Sequence, residues 1–273
     1  MSYVTAKKNH GSKRVINVRA IGLKYAYIAA LTFIPCASLS AMASSEDALS
    51  NVEISAAVGP NWVQANDTVT VIPIFTPPDE IDSILTQHVS STPVWKLGMG
   101  YHFFADSLSH RQFFNDLLVE LNFYRSSETI NGKVYQYQNP LYYTFNFSAP
   151  IRSTRLMLDA KPGLVSYDKM SFYPILGAGI AWNSSAYQET ALPGTASSPL
   201  LLNANTKSSF AYDLGAGVRM DITPSLQVSL EYLYSNLGDI VMTVNPANDA
   251  TLTSPPQFKL SSQTVMLGLN WKI

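Results

Sequence analysis

Cysteine is almost absent from this chain of 273 residues, and its single copy is Cys36. One cysteine cannot form an internal disulfide, so the fold has to be held together without covalent cross-links. The residues before it, Phe33 to Pro35, are bulky, whereas a lipoprotein attachment site needs small ones. We therefore predict neither a disulfide framework nor a lipid anchor.

Long hydrophobic runs are also missing. The apolar stretch at residues 25–34 is about half the length that a membrane-spanning helix needs, and no later stretch is long and apolar enough. Without such a helix a chain can enter a membrane only as a closed β-barrel, because every backbone polar group must be hydrogen-bonded there. If the protein crosses a membrane, it must therefore do so with strands.

Acidic residues are absent from positions 1–43, which hold six of the 18 basic residues. This basic region, the short apolar stretch and the small residues of Ala41-Met-Ala43 predict a secretory signal over 1–43, cleaved between Ala43 and Ser44. A permanent helical anchor and a mitochondrial presequence are the alternatives. The remainder, 44–273, carries a net charge of about −7, so it offers no basic patch for nucleic acid.

Apolar and polar residues alternate along eight segments of the remaining chain. In the last one, Val265, Leu267 and Leu269 fall on one face, while Thr264, Met266 and Gly268 fall on the other. Successive side chains of a strand point to opposite faces, so each segment predicts a strand with one apolar face. The segments lie near residues 52–59, 95–103, 116–123, 153–163, 172–182, 210–221, 226–234 and 264–273.

A soluble β-sandwich also alternates in this way, but two features favour a membrane. The apolar faces carry almost no charge, whereas a soluble protein places its charges on the outside. Aromatic residues also cluster at the two ends of the segments, for example Trp95 and Trp182 at one end and Tyr101 and Trp271 at the other. Such girdles mark the two interfaces of a bilayer, so we predict a transmembrane barrel.

The connections between the segments alternate in length. Short ones lie near 105–112, 166–169 and 223–225, and long ones near 64–92, 127–151, 184–207 and 236–257. Short periplasmic turns and long external loops are the rule for bacterial barrels. The strand-like segments 68–75 and 142–147 are either extensions above the membrane or an extra pair that would give ten strands. A slip in alternation near Ser261–Gln263 predicts a bulge.

Together the segments resemble the OmpA-like/opacity-type family of outer-membrane β-barrels. The resemblance rests on the alternation and on the glycine-containing stretches Tyr173–Trp182, Leu214–Arg219 and Leu267–Ile273. It implies an all-β, eight-stranded, antiparallel up-and-down barrel, exported through the periplasm, embedded in outer-membrane lipid and inserted by the barrel-assembly machinery. The chain departs from the family by ending in Ile273 where an aromatic residue is common.

Charged residues recur on the polar face of the segments, which would line the lumen. Opposite charges in a space with little water should pair, because unpaired buried charge is costly. An eight-stranded barrel is just wide enough for side chains to fill, so we predict a charge-plugged lumen, with a narrow channel for small solutes as the alternative. The predicted network is Glu53, Lys96, Asp116, Glu120, Arg155, Asp159, Lys161, Asp213, Arg219, Asp221, Glu231 and Lys272.

Motifs for catalysis are weak. Three Gly-x-Gly pairs lack the rest of a nucleotide-binding loop, and we interpret them as lumen positions with little space. His88-Val-Ser90 is similar to the His-x-Ser pair of lipid A deacylases, although it lies in a predicted loop, and a lipid-modifying enzyme is the third hypothesis. His102 is predicted to be a hydrogen-bonded lumen residue. No cluster has metal-ligand spacing, so we predict no enzyme activity, cofactor or metal.

The predicted external loops are rich in Ser, Thr, Asn and Pro and include Tyr135, Tyr137, Tyr142 and Tyr143. Loops on a rigid scaffold often carry binding function. We therefore expect a structural or surface-interaction role, of the adhesin or antigen kind, with a host or surface ligand bound by the loops. Variable surface without a ligand is the alternative.

Overall fold

A computed structural model describes residues 51–66, 70–71, 73–74, 82–104, 116–167, 169–195, 199–244, 251–252 and 257–273. The predicted signal segment 1–43, with its cleavage site at Ala43 and Ser44, lies outside them. Within the described residues, no helix has the length and apolar character needed to cross a membrane.

The described chain is built from antiparallel strands and one short 3-10 turn, Gln136–Gln138, in which Tyr137 has the non-helical φ of 55° and ψ of 25°. The strands are β1 Val52–Gly59, β2 Asn61–Asn66, β3 Thr70–Val71, β4 Pro73–Ile74, β5 Asp82–Ser91, β6 Val94–Phe104, β7 Asp116–Tyr135, β8 Tyr143–Gly163, β9 Val165–Tyr167, β10 Met170–Ala191, β11 Leu201–Asp221, β12 Leu226–Val241, β13 Thr243–Val244, β14 Thr251–Leu252 and β15 Gln257–Lys272.

Eight of these strands close a ring, in the order β1, β6, β7, β8, β10, β11, β12, β15 and back to β1. Closure runs through β1, where Glu53 is paired with Gly100 on one side and Lys272 on the other. The backbone N–H of Ile273 donates to Val52 O at 3.0 Å, so the start of β1 and the end of β15 meet at one end of the barrel, called here the near end. The predicted eight-stranded antiparallel barrel is confirmed.

Around the near half, the barrel is apolar outside and polar inside. On β6, Leu97 and Met99 are 54% and 60% exposed, whereas Lys96 before them and His102 after them are buried. Such an outside is favourable only against lipid, because large apolar surfaces in water are costly. This apolar belt around the near half is therefore the membrane-spanning part of the barrel, as the alternation predicts.

The far half departs from the prediction of irregular long loops. Strands β7, β8, β10 and β11 are 20 to 22 residues long, whereas about 9–11 residues cross a membrane, so the strands continue well beyond it. Most of 127–151 and 184–207 is therefore strand, and the prediction of loops there is wrong. Segment 143–147 extends β8 and is not an additional strand of the ring. Of 68–75, the structure describes only β3 and β4.

The far strands were predicted to be loops because the apolar and polar faces of the strands exchange places beyond the membrane. Beyond the membrane the inward residues become apolar and the outward ones polar, since water now lies outside. On β8 the side chains of Phe145 and Phe147 are buried, while Asn146 between them is exposed. The Ser- and Asn-rich outward face therefore resembles loop composition, although the backbone stays in the sheet.

The inward apolar side chains of the far half form one cluster, called here the outer core. Within it, the Phe147 ring is stacked on Tyr187 with ring centroids 5.4 Å apart and on Phe258 with centroids 6.5 Å apart. The buried members are Val63, Ile84, Ile130, Val134, Phe145, Phe147, Ala149, Ile151, Tyr187, Leu200, Leu202, Leu237, Ile240, Met242, Phe258 and Leu260.

The register contains a bulge at the predicted level but on the neighbouring strand. The shift lies between Asn236 and Gly238 of β12, opposite Leu260 and Ser261 of β15. Gly238 has φ +76°, and its N–H donates to Asn236 Oδ1 at 2.9 Å, so β12 supplies the extra residue. Placing the bulge on Ser261–Gln263 is therefore wrong.

We expect Phe147→Ala to lower the free energy of unfolding by about 3–5 kcal/mol, because it leaves a cavity between two stacked rings. Urea unfolding of the barrel in lipid vesicles measures this loss. Gln188→Ala, next to Tyr187 on the exposed face of β10, is the matched control and should change the value by less than about 0.5 kcal/mol. Equal effects of the two changes would contradict a packed outer core.

Candidate functional site

Ten of the twelve charged residues assigned to the lumen by alternation are buried inside the barrel: Glu53, Lys96, Asp116, Glu120, Arg155, Asp159, Lys161, Asp213, Arg219 and Glu231. Asp221 and Lys272 are not among them. Asp221 is the last residue of β11, is exposed at the near rim, and accepts a hydrogen bond from Gln227 Nε2. Lys272 ends β15 at the same rim and is half-buried. Both lie where the strands leave the lumen, so alternation assigns the face but not the depth.

Two lysines and two glutamates form the centre of the lumen cluster. Lys161 Nζ lies 2.6 Å from Glu120 Oε2 and 2.6 Å from Glu231 Oε1. Lys96 Nζ lies 3.0 Å from Glu231 Oε2 and 3.6 Å from Glu120 Oε2. Tyr173 adds a hydrogen bond from its hydroxyl to Glu231 Oε1 at 3.1 Å. The four charges come from β6, β7, β8 and β12, so the cluster ties the ring together across its diameter.

A second group lies toward the near end and is centred on His102. Its Nε2 is 2.7 Å from Glu53 Oε2, and its Nδ1 is 3.1 Å from Asp116 Oδ2. Arg219 donates through Nη2 to the same Asp116 oxygen. The predicted hydrogen-bonded lumen histidine thus bridges two carboxylates, which a protonated ring can do by donating from both nitrogens.

A third group lies toward the outer core. Arg155 Nη1 is 3.2 Å from Asp213 Oδ1, and its guanidinium is 4.6 Å from the centroid of the Tyr124 ring. Asp159 Oδ2 accepts the Tyr124 hydroxyl at 2.9 Å and the Asn122 amide Nδ2 at 2.7 Å. These neutral partners share the inward face of β7, but a search for charged residues alone passes over them.

Glycines make room for these carboxylates. Gly177 is paired with Asp159 on one side and Asp213 on the other, and a Cβ there would lie 2.2 Å from Asp159 Oδ1. At Gly98 a Cβ would lie 2.2 Å from Asn122 Oδ1 and 2.5 Å from Ser55 Oγ. Two of the Gly-x-Gly pairs are therefore spaces that the charge cluster fills, which agrees with their interpretation as crowded lumen positions.

Charges that are close in sequence do not pair with each other. Lys161 contacts Glu120 and Glu231, not Asp159, and Arg219 contacts Asp116, not Asp213. Residues two apart on a strand share a face but point in parallel, so their partners come from other strands. The lumen cluster has two further members that sequence reasoning missed. Ser55 donates a hydrogen bond to Glu120 Oε1, and Tyr173 donates one to Glu231 Oε1.

The arrangement neutralises charge inside the barrel. His102, Glu120 and Lys161 are each at most 3% exposed, so their side chains are closed off from bulk solvent. Among the residues that the structure describes, no group of three or more His, Cys, Asp and Glu side chains could hold a metal ion. His88 lies in β5, and its side chain is outside the described part.

One titratable group stands apart in the far half, beyond the membrane-spanning segments. Glu189 Oε2 accepts the backbone N–H of Leu200 at 2.9 Å, and its Oε1 accepts the Tyr187 hydroxyl at 2.8 Å. Burial, with a smaller contribution from the charge of Asp82, raises the pKa of Glu189 to about 7, although both hydrogen bonds oppose the shift. The carboxyl fastens the end of β10 to the start of β11.

The sequence matches one protein-family model, the outer membrane protein beta-barrel domain, over residues 29–272. No curated protein matches it significantly. Among solved structures, the outer membrane protease OmpT from Escherichia coli is 8% identical, with a TM-score of 0.46 and coverage of 82% of this chain and 97% of that one.

Two further solved structures align with the chain. Neisserial surface protein A is 15% identical, with a TM-score of 0.32 and coverage of 81% of this chain and 97% of that one. Ail of Yersinia pestis, solved with the heparin analogue sucrose octasulfate, is 14% identical, with a TM-score of 0.32 and coverage of 81% and 99%. Likenesses this low do not transfer function between proteins.

We expect Lys161→Met to lower the free energy of unfolding by about 3–5 kcal/mol, because it leaves Glu120 and Glu231 short of a buried cation. Adding Glu231→Gln removes one of the uncompensated charges and should recover part of the loss. Urea unfolding in vesicles measures both variants. A double variant less stable than the single one would show that the charges do not act as a pair.

Stability should also depend on pH through Glu189. Its pKa is raised on folding, so the folded state holds the proton more tightly, and stability falls as pH rises from about 4.5 to about 7. The shift corresponds to about 3 kcal/mol. Unfolding measured from pH 4.5 to pH 8 should show this slope, and Glu189→Gln, which mimics the protonated form, should flatten it. An unchanged slope in the variant would assign the pH dependence to other groups.

Proposed function

This chain belongs to the outer membrane protein beta-barrel family, and from that premise we propose that it is a closed barrel with a surface-interaction role. It lies in the outer membrane of a Gram-negative bacterium, with outer-membrane lipid around its apolar belt. The near end then faces the periplasm and the far half extends outward. The absence of enzyme activity is part of the proposal.

Two successive layers of buried side chains inside the barrel support the proposal that the lumen is filled. In the near half, oppositely charged side chains pair across the diameter, and Glu120, Lys161 and Glu231 are at most 3% exposed. In the far half, the outer core fills the interior with stacked rings and aliphatic side chains. An ion would have to displace both layers, and opening the charge pairs without replacing them is costly.

A narrow path for water-sized solutes is the second candidate. Asn122 Oδ1, Asp159 Oδ1 and Asp213 Oδ2 are buried and accept no hydrogen bond from the described residues. Buried polar atoms of this kind are commonly satisfied by water, which would have to reach the lumen. The outer core on one side argues against a continuous path.

The remaining partners follow from the same role. We propose export through a signal peptide at 1–43, cleaved between Ala43 and Ser44, and insertion by the barrel-assembly machinery. The extracellular surface then supplies the binding sites, because its strands form a rigid scaffold that displays the connecting turns. A lipid-modifying activity through His88 is the least supported hypothesis, and loss of lipid modification in His88→Ala would be the sign of it.

We expect the refolded chain 44–273 to remain silent in a planar bilayer, because both lumen layers are closed. Insertion is verified separately, by protection of the membrane-spanning strands from protease in vesicles. Arg219→Ala, which breaks the contact with Asp116 at the near end, should remain silent too, since the central lysines and the outer core are intact. Reproducible conductance steps from the unaltered protein, changed by Arg219→Ala, would overturn the closed barrel in favour of the channel.

A further inference from the structure

The hairpin that joins β7 to β8 carries four tyrosines at its tip, Tyr135, Tyr137, Tyr142 and Tyr143, called here the tyrosine tip. β7 continues about ten residues past the membrane-spanning part, which places the tip roughly 30 Å beyond the lipid. The tip therefore lies at the outermost part of the described hairpin, where a ligand outside the cell can reach it.

The rings of the tip are grouped in pairs, and one pair is exposed to solvent while the other is half-buried. Tyr137 and Tyr142 are 63% and 53% exposed, and their rings meet edge to face with centroids 6.0 Å apart. Tyr135 and Tyr143 form a second pair at 5.8 Å. A short hairpin does not need four aromatic rings to fold, and none of the four belongs to the outer core. The exposed pair, Tyr137 and Tyr142, offers a stacking surface to a ligand in solution.

Three backbone N–H groups of the tip donate hydrogen bonds that fix its conformation. The N–H of Gln136 donates to Tyr142 O at 3.0 Å, and the N–H of Asn139 donates to Gln136 O at 3.1 Å. Asp82, from β5, accepts the N–H of Tyr137 at 3.2 Å. The rings are thus positioned before a ligand arrives, which lowers the entropic cost of binding.

The turn at the tip is strained. Tyr137 and Gln138 have φ of 55° and 56°, so both central residues of the turn lie in the left-handed region. This turn type favours Asn followed by Gly, because a Cβ is crowded there. A bulky aromatic residue at the first position opposes local stability, and its ring is mostly in solvent. Strain that persists at an exposed position is typical of binding sites.

We propose that the tyrosine tip binds a neutral glycan, with pyranose rings stacked on the exposed tyrosines. The faces of aromatic rings are electron-rich and attract the polarised C–H groups of a sugar, while the tyrosine hydroxyls can exchange hydrogen bonds with the sugar hydroxyls. This inference rests on the proposed surface-interaction role and names the ligand class for it.

Charge and size favour a neutral glycan over other ligands. Between residues 133 and 146 the only charged side chain is Lys133, and its ammonium already lies 4.6 Å from the centroid of the Tyr143 ring. An anionic ligand would need more than one such cation. A stable protein interface buries about 800 Å² on each partner and involves about 20–30 residues a side, far more than this turn displays.

The unusual turn supplies a pair of variants that separates binding from folding. Tyr137→Asn removes the ring and puts the favoured residue at the strained position, so the barrel should be as stable as the original or more so. Gln138→Gly relieves strain at the next position and keeps all four rings. If the tip had only a structural role, the two substitutions would affect glycan binding alike. If the tip binds the glycan, only Tyr137→Asn should abolish binding.

The experiment places the chain 44–273 in lipid nanodiscs on an array of neutral, sialylated and sulfated oligosaccharides. We expect binding to neutral oligosaccharides, reduced at least tenfold by Tyr137→Asn and by Tyr142→Ala, and within twofold of the original in Gln138→Gly. Urea unfolding of each variant shows that the barrel is intact.

Three results would overturn the inference: no binding to neutral oligosaccharides, binding to sulfated or sialylated ones alone, or binding that Tyr137→Asn leaves unchanged. Capture of a protein through the same tyrosines, without glycan binding, would also overturn it while preserving the surface-interaction role. Conductance steps in the planar bilayer would contradict the closed barrel but would not affect the glycan-binding result on the array. The two proposals can therefore fail separately.

Discussion

The boundary between lipid and water, which every long strand crosses, is the constraint on which this structure depends. Within the lipid, no backbone polar group or charge can be left facing outward, so eight strands close a ring and turn their polar side chains inward. Beyond the lipid, water outside makes the opposite arrangement favourable. β8 carries both patterns, with Arg155 and Asp159 inside near one end and Phe145 and Phe147 inside near the other.

The two kinds of interior are stabilised differently. Charges in a narrow lumen must be matched across the barrel, and Lys161 between Glu120 and Glu231 does this with three strands at once. The carboxylates fit because neighbouring strands present glycine, as Gly177 does beside Asp159. The outer core needs no such matching, because rings and aliphatic chains pack without charge. The charge cluster therefore favours one register between the strands that carry it. The outer core contributes stability by burying apolar side chains.

Alternation was sufficient to predict the ring, because the membrane keeps one face apolar for long enough to be recognised. Ten of the charges that it assigns to the lumen are buried, whereas Asp221 and Lys272 lie at the near rim, because alternation gives the face of a residue but not its depth. The far strands were missed because their polar outward residues have the composition of loops. The bulge was misplaced because a register shift involves two strands, and the conformation of Gly238 is visible only in three dimensions. Partners such as Tyr124 and Tyr173 depend on distances across the lumen, which sequence spacing does not contain.

In the far half, the conformation of the turn at Tyr137 depends on the packing of the outer core. A strained turn at Tyr137 persists only if its surroundings allow no alternative, and two independent elements hold it. The paired strands β7 and β8 fix it from below, where Phe147 and Ile130 anchor them in the outer core. Strand β5 fixes it from the side, because it pairs with β7 and brings Asp82 to the N–H of Tyr137. Loosening the outer core would therefore relax the turn even if no residue of the tip were changed, and the stability of the far half and the geometry of its tip are one property.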